Sequence, residues 1–311
     1  MALITGSERV PRWFEADLIH DFLHSPLAVV AALVAVALAA LALGADFIAP
    51  YNTNDPASAN VIDARLPPGS VGLMGDHYLL GTDPQGRDML SAIIYGLRLS
   101  LMVGASSVLL AAVVGVILGL LCGYFGGIVD AIIMRIADVQ LSFPTILIAL
   151  LVDGITRTVL GRATHDALAI PVLVIAIAAS YWVQYARTVR GLVLVERDKE
   201  YVLAAKVTGV GPLRILATHI QPNVMGSVLV IVTINLALAI LAEATLSFLG
   251  VGVPPTTPSL GSLVRIGNEF LFSGDWWISI FPGATLVVLS LSVSLLGDWL
   301  RDALNPKLSD A

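Results

Sequence analysis

The sequence predicts an all-α polytopic membrane protein with six transmembrane helices, and three observations carry that prediction. Of 311 residues, 57% are hydrophobic and only 13% charged, and the mean hydropathy is +0.88; soluble domains carry about 25% charged residues. A hydrocarbon core about 30 Å thick needs roughly 20 apolar residues per helix. Six stretches qualify: Leu27–Ala45, Leu99–Gly123, Ala131–Val152, Ala167–Tyr185, Val224–Gly250 and Ile278–Leu300. The alternating ten-residue pattern of an outer-membrane barrel is missing.

Ahead of the first span, residues 13–24 place Trp13, Phe14, Leu18, Phe22 and Leu23 near one helical face, as in an interfacial amphipathic helix. His20 and His24 have the spacing of a zinc pair, but no third ligand is nearby and no metal site is expected. Ala40-Leu41-Ala42 resembles a signal cleavage site. The long acidic leader before it and the continuing apolar run argue instead for an uncleaved first helix. Residues 46–98 hold three cations and six acids, whereas Tyr185–Pro222 holds six cations and three acids. The positive-inside rule therefore puts residues 46–98 outside, and 185–222 and both termini in the cytoplasm.

Within the outside loop, Gly81–Asp88 packs two glycines, a proline and three charges into eight residues. That composition fixes a tight turn, with Arg87 buttressed by a nearby carboxylate, and it reads either as a cap on the second span or as an external gate. The second span carries Gly115, Gly119, Gly123 and Gly127, each four apart. Such a stripe lets another helix approach closely, where packing drives association in lipid. In the third span Arg135 and Asp138 share a face and form either a structural clamp or part of a pathway. Pro144 should kink that helix. The fifth span holds Asn235 and Glu243; Glu243 lacks an evident partner in its own helix and has either a structural or a pathway role. Gly250, Gly252, Pro254 and Pro255 end this span, and Trp276 and Trp277 anchor the start of the sixth.

Catalytic motifs are absent. No GxxxxGK[ST], GxSxG or HExxH occurs, and the single cysteine, Cys122, permits neither a disulfide framework nor a thiolate metal site. The chain reads as a non-catalytic subunit without a cofactor of its own. Any energy-coupling chemistry must come from another polypeptide.

The cytoplasmic stretch EYVLAAKVTGVGPLRILATHIQP (200–222) resembles the EAA loop of ABC importer permeases. That motif runs Glu-Ala-Ala, three residues, Gly, nine residues, Ile-x-Leu-Pro. Ala204, Ala205, Gly209 and Pro222 match it; Leu203, His219 and Gln221 depart from it, and the glutamate stands at Glu200. GTDPQGRDMLS, GYFGGIVDAIIMRIADVQLSFP, ATLSFLGVGVPPTTP and LGDWLRDALNPKL are similar to the C-type permease of dipeptide and oligopeptide ABC importers. The resemblance covers nearly all of residues 26–308. It implies the type I ABC importer permease fold, with a cytoplasmic segment 1–25, a first helix and outside loop 26–96, a core 97–300 containing the coupling loop 186–222, and a cytoplasmic tail 301–311.

The resemblance also implies partners: a second, B-type permease, two cytoplasmic ATPases that bind ATP and magnesium, an extracytoplasmic substrate-binding protein and membrane lipid, with no nucleic acid. Glu200, Ala204, Ala205, Gly209 and Pro222 would form the ATPase coupling element, the two alanines and Gly209 being the small face that docks. Peptide, nickel, opine and glutathione systems share this scaffold. A self-contained secondary transporter or channel is the rival of a different class, but the internal repeat common in such proteins is not found.

Overall fold

The computed structural model describes residues 20–53, 60–161, 164, 167–254 and 257–303. Most of the predicted amphipathic segment 13–24 and of the tail 301–311 lies outside the described residues. Among the described residues, five helices are long and apolar enough to cross a membrane, or six if one bent pair counts as a span. They are α1 (Pro26–Leu43), α3 (Met89–Phe125), α6 (Ala169–Glu196), α9 (Gln221–Phe248, continuous with the preceding Pro212–Ile220) and α11 (Trp277–Ala303). The bent pair is α4 (Gly127–Leu141) with α5 (Thr145–Leu160). Short α2 (Ala45–Ile48) follows α1, α7 (Glu200–Val207) and α8 (Pro212–Ile215) lie between α6 and α9, and α10 (Leu260–Phe270) precedes α11.

Three boundaries differ from the sequence reading. The predicted third span is not one kinked helix: α4 and α5 meet at 98°. Pro144 has no N–H to donate, and its ring disfavours helical geometry at Phe143, so the ladder stops there and restarts at Thr145. At the second span, α3 begins ten residues before the apolar run, at 37 residues and about 55 Å, because Asp88 caps it there. The Asp88 carboxylate accepts from Ser91 N at 2.8 Å and Ser91 Oγ at 2.6 Å. Finally, α6 runs to Glu196, eleven residues past Tyr185, so the first part of the predicted loop 186–222 is helix.

The turn 81–88 is a compact, internally bonded cap ahead of α3. Asp83, wholly buried, accepts from Gln85 N, from Arg87 N and, at 2.6 Å, from Arg87 Nε. Gly86 has φ 76°, and a Cβ there would sit 1.9 Å from the Asn60 carbonyl oxygen, so only glycine closes the turn. Trp277 Nε1 donates to Thr82 O at 3.2 Å and ties the turn to the start of α11. A two-stranded hairpin, β1 (Ser70–Val71) and β2 (His77–Tyr78), stands beside it, held by Asp63, which accepts from Leu73 N and Tyr78 Oη.

Helix α10 was not foreseen from the sequence. Ser259 and Ser262 form a reciprocal capping box at its start. Gly261 lies against the backbone of Ala244 and Gly267 against that of Ser279, so α10 wedges between α9 and α11. Ser259→Ala is expected to lower stability by about 1 kcal/mol through loss of this cap. Thermal unfolding of the detergent-purified chain checks it, and an unchanged midpoint would deny the cap that role.

Candidate coupling site and buried polar residues

The glycine stripe is the seam between α3 and α6. A Cβ at Gly115 would lie 2.5 Å from Trp182 O and Tyr185 Cβ, one at Gly119 2.6 Å from Ala186 O, and one at Gly123 2.6 Å from Val193 Cβ. The fourth glycine does not belong to it. Gly127 falls beyond the end of α3, with φ 56° and no neighbour within 4 Å of an added Cβ, and with Gly126 it makes the turn into α4.

Arg135 and Asp138 do not pair, contrary to expectation. Asp138 takes Arg187 of α6 instead. Eight residues earlier on α4, about two turns away, Asp130 accepts two bonds from Arg190, Nε at 2.5 Å and Nη2 at 2.6 Å. Arg187 and Arg190, counted in the sequence only as loop cations, thus fasten α4 to the extended end of α6. Arg197 continues the row by donating to Gly123 O at 2.9 Å. These partners sit 49 to 74 positions apart in the chain, beyond the reach of i, i+3 reasoning.

Neither pathway candidate faces an open surface. Glu243 is 0% exposed and accepts from Ser100 Oγ of α3 at 2.6 Å and from Ser247 Oγ at 2.7 Å. It is a brace between two spans, and one of its partners, at i+4, was present in its own helix. Asn235 is 1% exposed, and its Nδ2 has no hydrogen-bond partner; the nearby span α6 holds a second such group, Tyr185 Oη. Glu243→Ala, which leaves two buried hydroxyls without an acceptor, is expected to lower stability by about 2 kcal/mol, and Glu243→Gln by less than half of that. Equal losses in thermal unfolding would remove the hydroxyl brace.

The candidate coupling element between α6 and α9 is built around α7. Glu200 is its exposed first residue, suited to the helix N-terminus. Gly209 ends it in the left-handed region at φ 79°, while Gly209 N and Val210 N return to Lys206 O and Ala205 O. Gly209 is therefore a helix stop, exposed and with no neighbour within 4 Å of an added Cβ. Ala205 departs from the expected docking face: it is 7% exposed and packs inward with Val202, Ile215 and Leu216. Ala204 is exposed, beside Leu203, Val207 at 89% and Leu213 of α8 at 69%. The outward face is apolar and larger than the small face expected from the motif.

Pro222 explains the next element. It lacks an N–H and crowds the carbonyl four residues back, and the ladder widens into a π turn over Leu216–Ile220. Five residues then meet, two of which, Tyr201 and Asn223, the sequence reading passed over. Tyr201 of α7 donates to Glu196 Oε1 at the end of α6, at 2.6 Å. Asn223, in the first turn of α9, donates to Tyr201 Oη at 2.9 Å and to His219 O at 2.7 Å. The Tyr201 and His219 rings stack at 6.5 Å, and Lys199 Nζ lies 2.6 Å from Glu196 Oε2. Burial, reinforced by the Glu196 carboxylate, pushes the Tyr201 phenol up to about 12, so it keeps its proton and donates.

The binding-protein-dependent transport system inner membrane component family matches residues 115–310, which contain the seam, the coupling element and the last two spans. This chain belongs to that family. Its fold is the type I ABC importer permease fold, and it is a multi-pass membrane protein and a transport component. The N-terminal TM domain of oligopeptide transport permease C also matches, over residues 13–68. Among curated relatives, the dipeptide transport system permease protein DppC of Haemophilus influenzae is 39% identical over 87% of this chain and 87% of its own. The di/tripeptide transport system permease protein DppC of Pseudomonas aeruginosa is 37% identical over 94% and 91%. The oligopeptide transport system permease protein OppC of Bacillus subtilis is 35% identical over 95% and 90%.

Proposed function

We propose that this family member is one permease half of an ATP-driven importer of di- or oligopeptides in a bacterial cytoplasmic membrane. A second, B-type permease completes the translocation pathway, an extracytoplasmic binding protein delivers the peptide, and two ATPases dock from the cytoplasm. ATP and magnesium belong to those ATPases, and this chain carries no cofactor. The observation that supports the reading most is the outward apolar face of α7 and α8, Leu203, Val207 and Leu213, flanked by Lys206 and Arg214. A face so apolar on a water-exposed loop needs a protein cover. Closure of the ATPase pair would move α7 and, through α6 and α9, rock the bundle between inward and outward access.

The peptide assignment is supported by the names of the relatives, which are dipeptide, di/tripeptide and oligopeptide permeases. Its test is uptake of a radiolabelled dipeptide into liposomes that hold the complex expressed with the neighbouring transport subunits. Uptake that needs ATP and the binding protein is expected; uptake by this chain alone under an ion gradient would overturn the reading. The topology has its own check. Reporter fusions after Leu66 and Val195 should read outside and inside respectively, and the reverse pattern would put the coupling face on the wrong side.

A further inference from the structure

We infer that Tyr201, with Glu196 and Asn223, is a positioning clasp that makes the coupling helix move as one body with spans α6 and α9. The inference rests on the proposed coupling to ATPases and names the residues that carry the motion inward. A docked helix can transmit a push only if its connections to the membrane are stiffer than the loops around it. On its C-terminal side α7 is followed by Thr208–Gly211, a stop in which Gly209 is left-handed and no neighbour lies within 4 Å of an added Cβ at Gly209 or Gly211. That link alone would bend.

The phenol bypasses it. Tyr201 Oη gives its proton bond to a carboxylate on α6, which is 8% exposed, and receives one from the amide of Asn223 on α9. One oxygen thus joins three helices whose residues are 5 and 22 positions away. Bonds to charged groups are the strong ones, and the phenol's high pKa keeps this one in its donating form. Asn223 is itself held, because its Nδ2 also donates to His219 O in the π turn beneath it. The π turn and the clasp are consequently one construction, with Pro222 forcing the turn and Asn223 bridging it. Ala205 and Val202 pack below as the apolar half of the same joint.

The experiment uses the whole complex, purified with its ATPases and reconstituted in liposomes. Peptide uptake per ATP hydrolysed is measured for the wild type, Tyr201→Phe, Asn223→Ala and the double variant. Tyr201→Phe keeps the ring and its stacking on His219, so a fall in the ratio reports the lost hydroxyl. A fall of about tenfold is expected, the factor one charge-assisted hydrogen bond supports. The double variant should be no worse than the poorer single variant, since both break one clasp. Additive losses, or a wild-type ratio in Tyr201→Phe, would overturn the inference, as would a fall matched by equal loss of assembled complex. Failure of the wild-type chain to bind ATPases at all would instead overturn the proposed function, and the clasp with it.

Discussion

Gly119→Leu is expected to prevent recovery of a folded bundle, whereas Leu118→Ala should leave it nearly intact. The seam between α3 and α6 has no room at this position. A Cβ would come within 2.6 Å of the Ala186 carbonyl oxygen and 2.8 Å of Val189 Cβ. Neither obstacle can rotate away: one is backbone, and the other is the branch point of a stiff side chain. Ordinary overpacking costs about 1–3 kcal/mol, and here three further carbons must follow the first into the same gap, so the helices must separate. Separation would also pull apart the adjoining contacts at Gly115 and Gly123, and it would strain Arg190 off Asp130. Leu118 is only half-buried, on the neighbouring face, and its truncation removes contact without displacing a helix. The check is yield and thermal stability of each variant in mild detergent. Comparable yields would mean that α6 is free to retreat and that the seam is not the rigid axis of the bundle.

Hydropathy made the spans legible because lipid demands long apolar runs of every crossing helix. The seam was legible for a similar reason: glycines at four-residue spacing fall on one face whatever lies opposite. The Gly81–Asp88 turn could be read because its proline, glycines and Arg87–Asp83 pair are local. What the sequence hid was long-range. Nothing near Asp138 announces Arg187, and nothing near Glu243 announces Ser100, 143 positions earlier. The 98° break was readable as a kink at Pro144, but its size depends on what each half packs against. The coupling motif misled in a different way. Its small residues suggested a docking face, yet small residues equally suit a tight joint within the chain, and burial assigns Ala205 to the joint. Tyr201 and Asn223 were passed over because single polar residues at the ends of helices carry no periodic signal.

The sharpest test of the coupling site compares Val207→Glu with Ala205→Glu, two positions apart in the chain but one exposed and one buried. Val207→Glu should leave the bundle folded and remove the ATPases. Val207 is 89% exposed, so the free chain meets the new carboxylate with water alone, and its stability should be unchanged. On docking, the same carboxylate would be buried against the partner without a counter-charge, with a penalty of several kcal/mol. Each 1.4 kcal/mol is about tenfold in affinity, so association should fall by a few powers of ten. Ala205→Glu should fail earlier and differently. There the carboxylate would enter the joint among Val202, Ile215 and Leu216, and the permease itself should lose stability before any partner is offered. Val193→Glu, which places the charge inside the α3–α6 seam beside Gly123, should resemble Ala205→Glu and not Val207→Glu. The measurements are thermal unfolding of each variant chain and co-purification of the ATPases with it. A stable Val207→Glu chain that still retains its ATPases would move the docking surface away from the outer face of α7. A stable Ala205→Glu chain that loses them would restore the small-residue face as the site of contact.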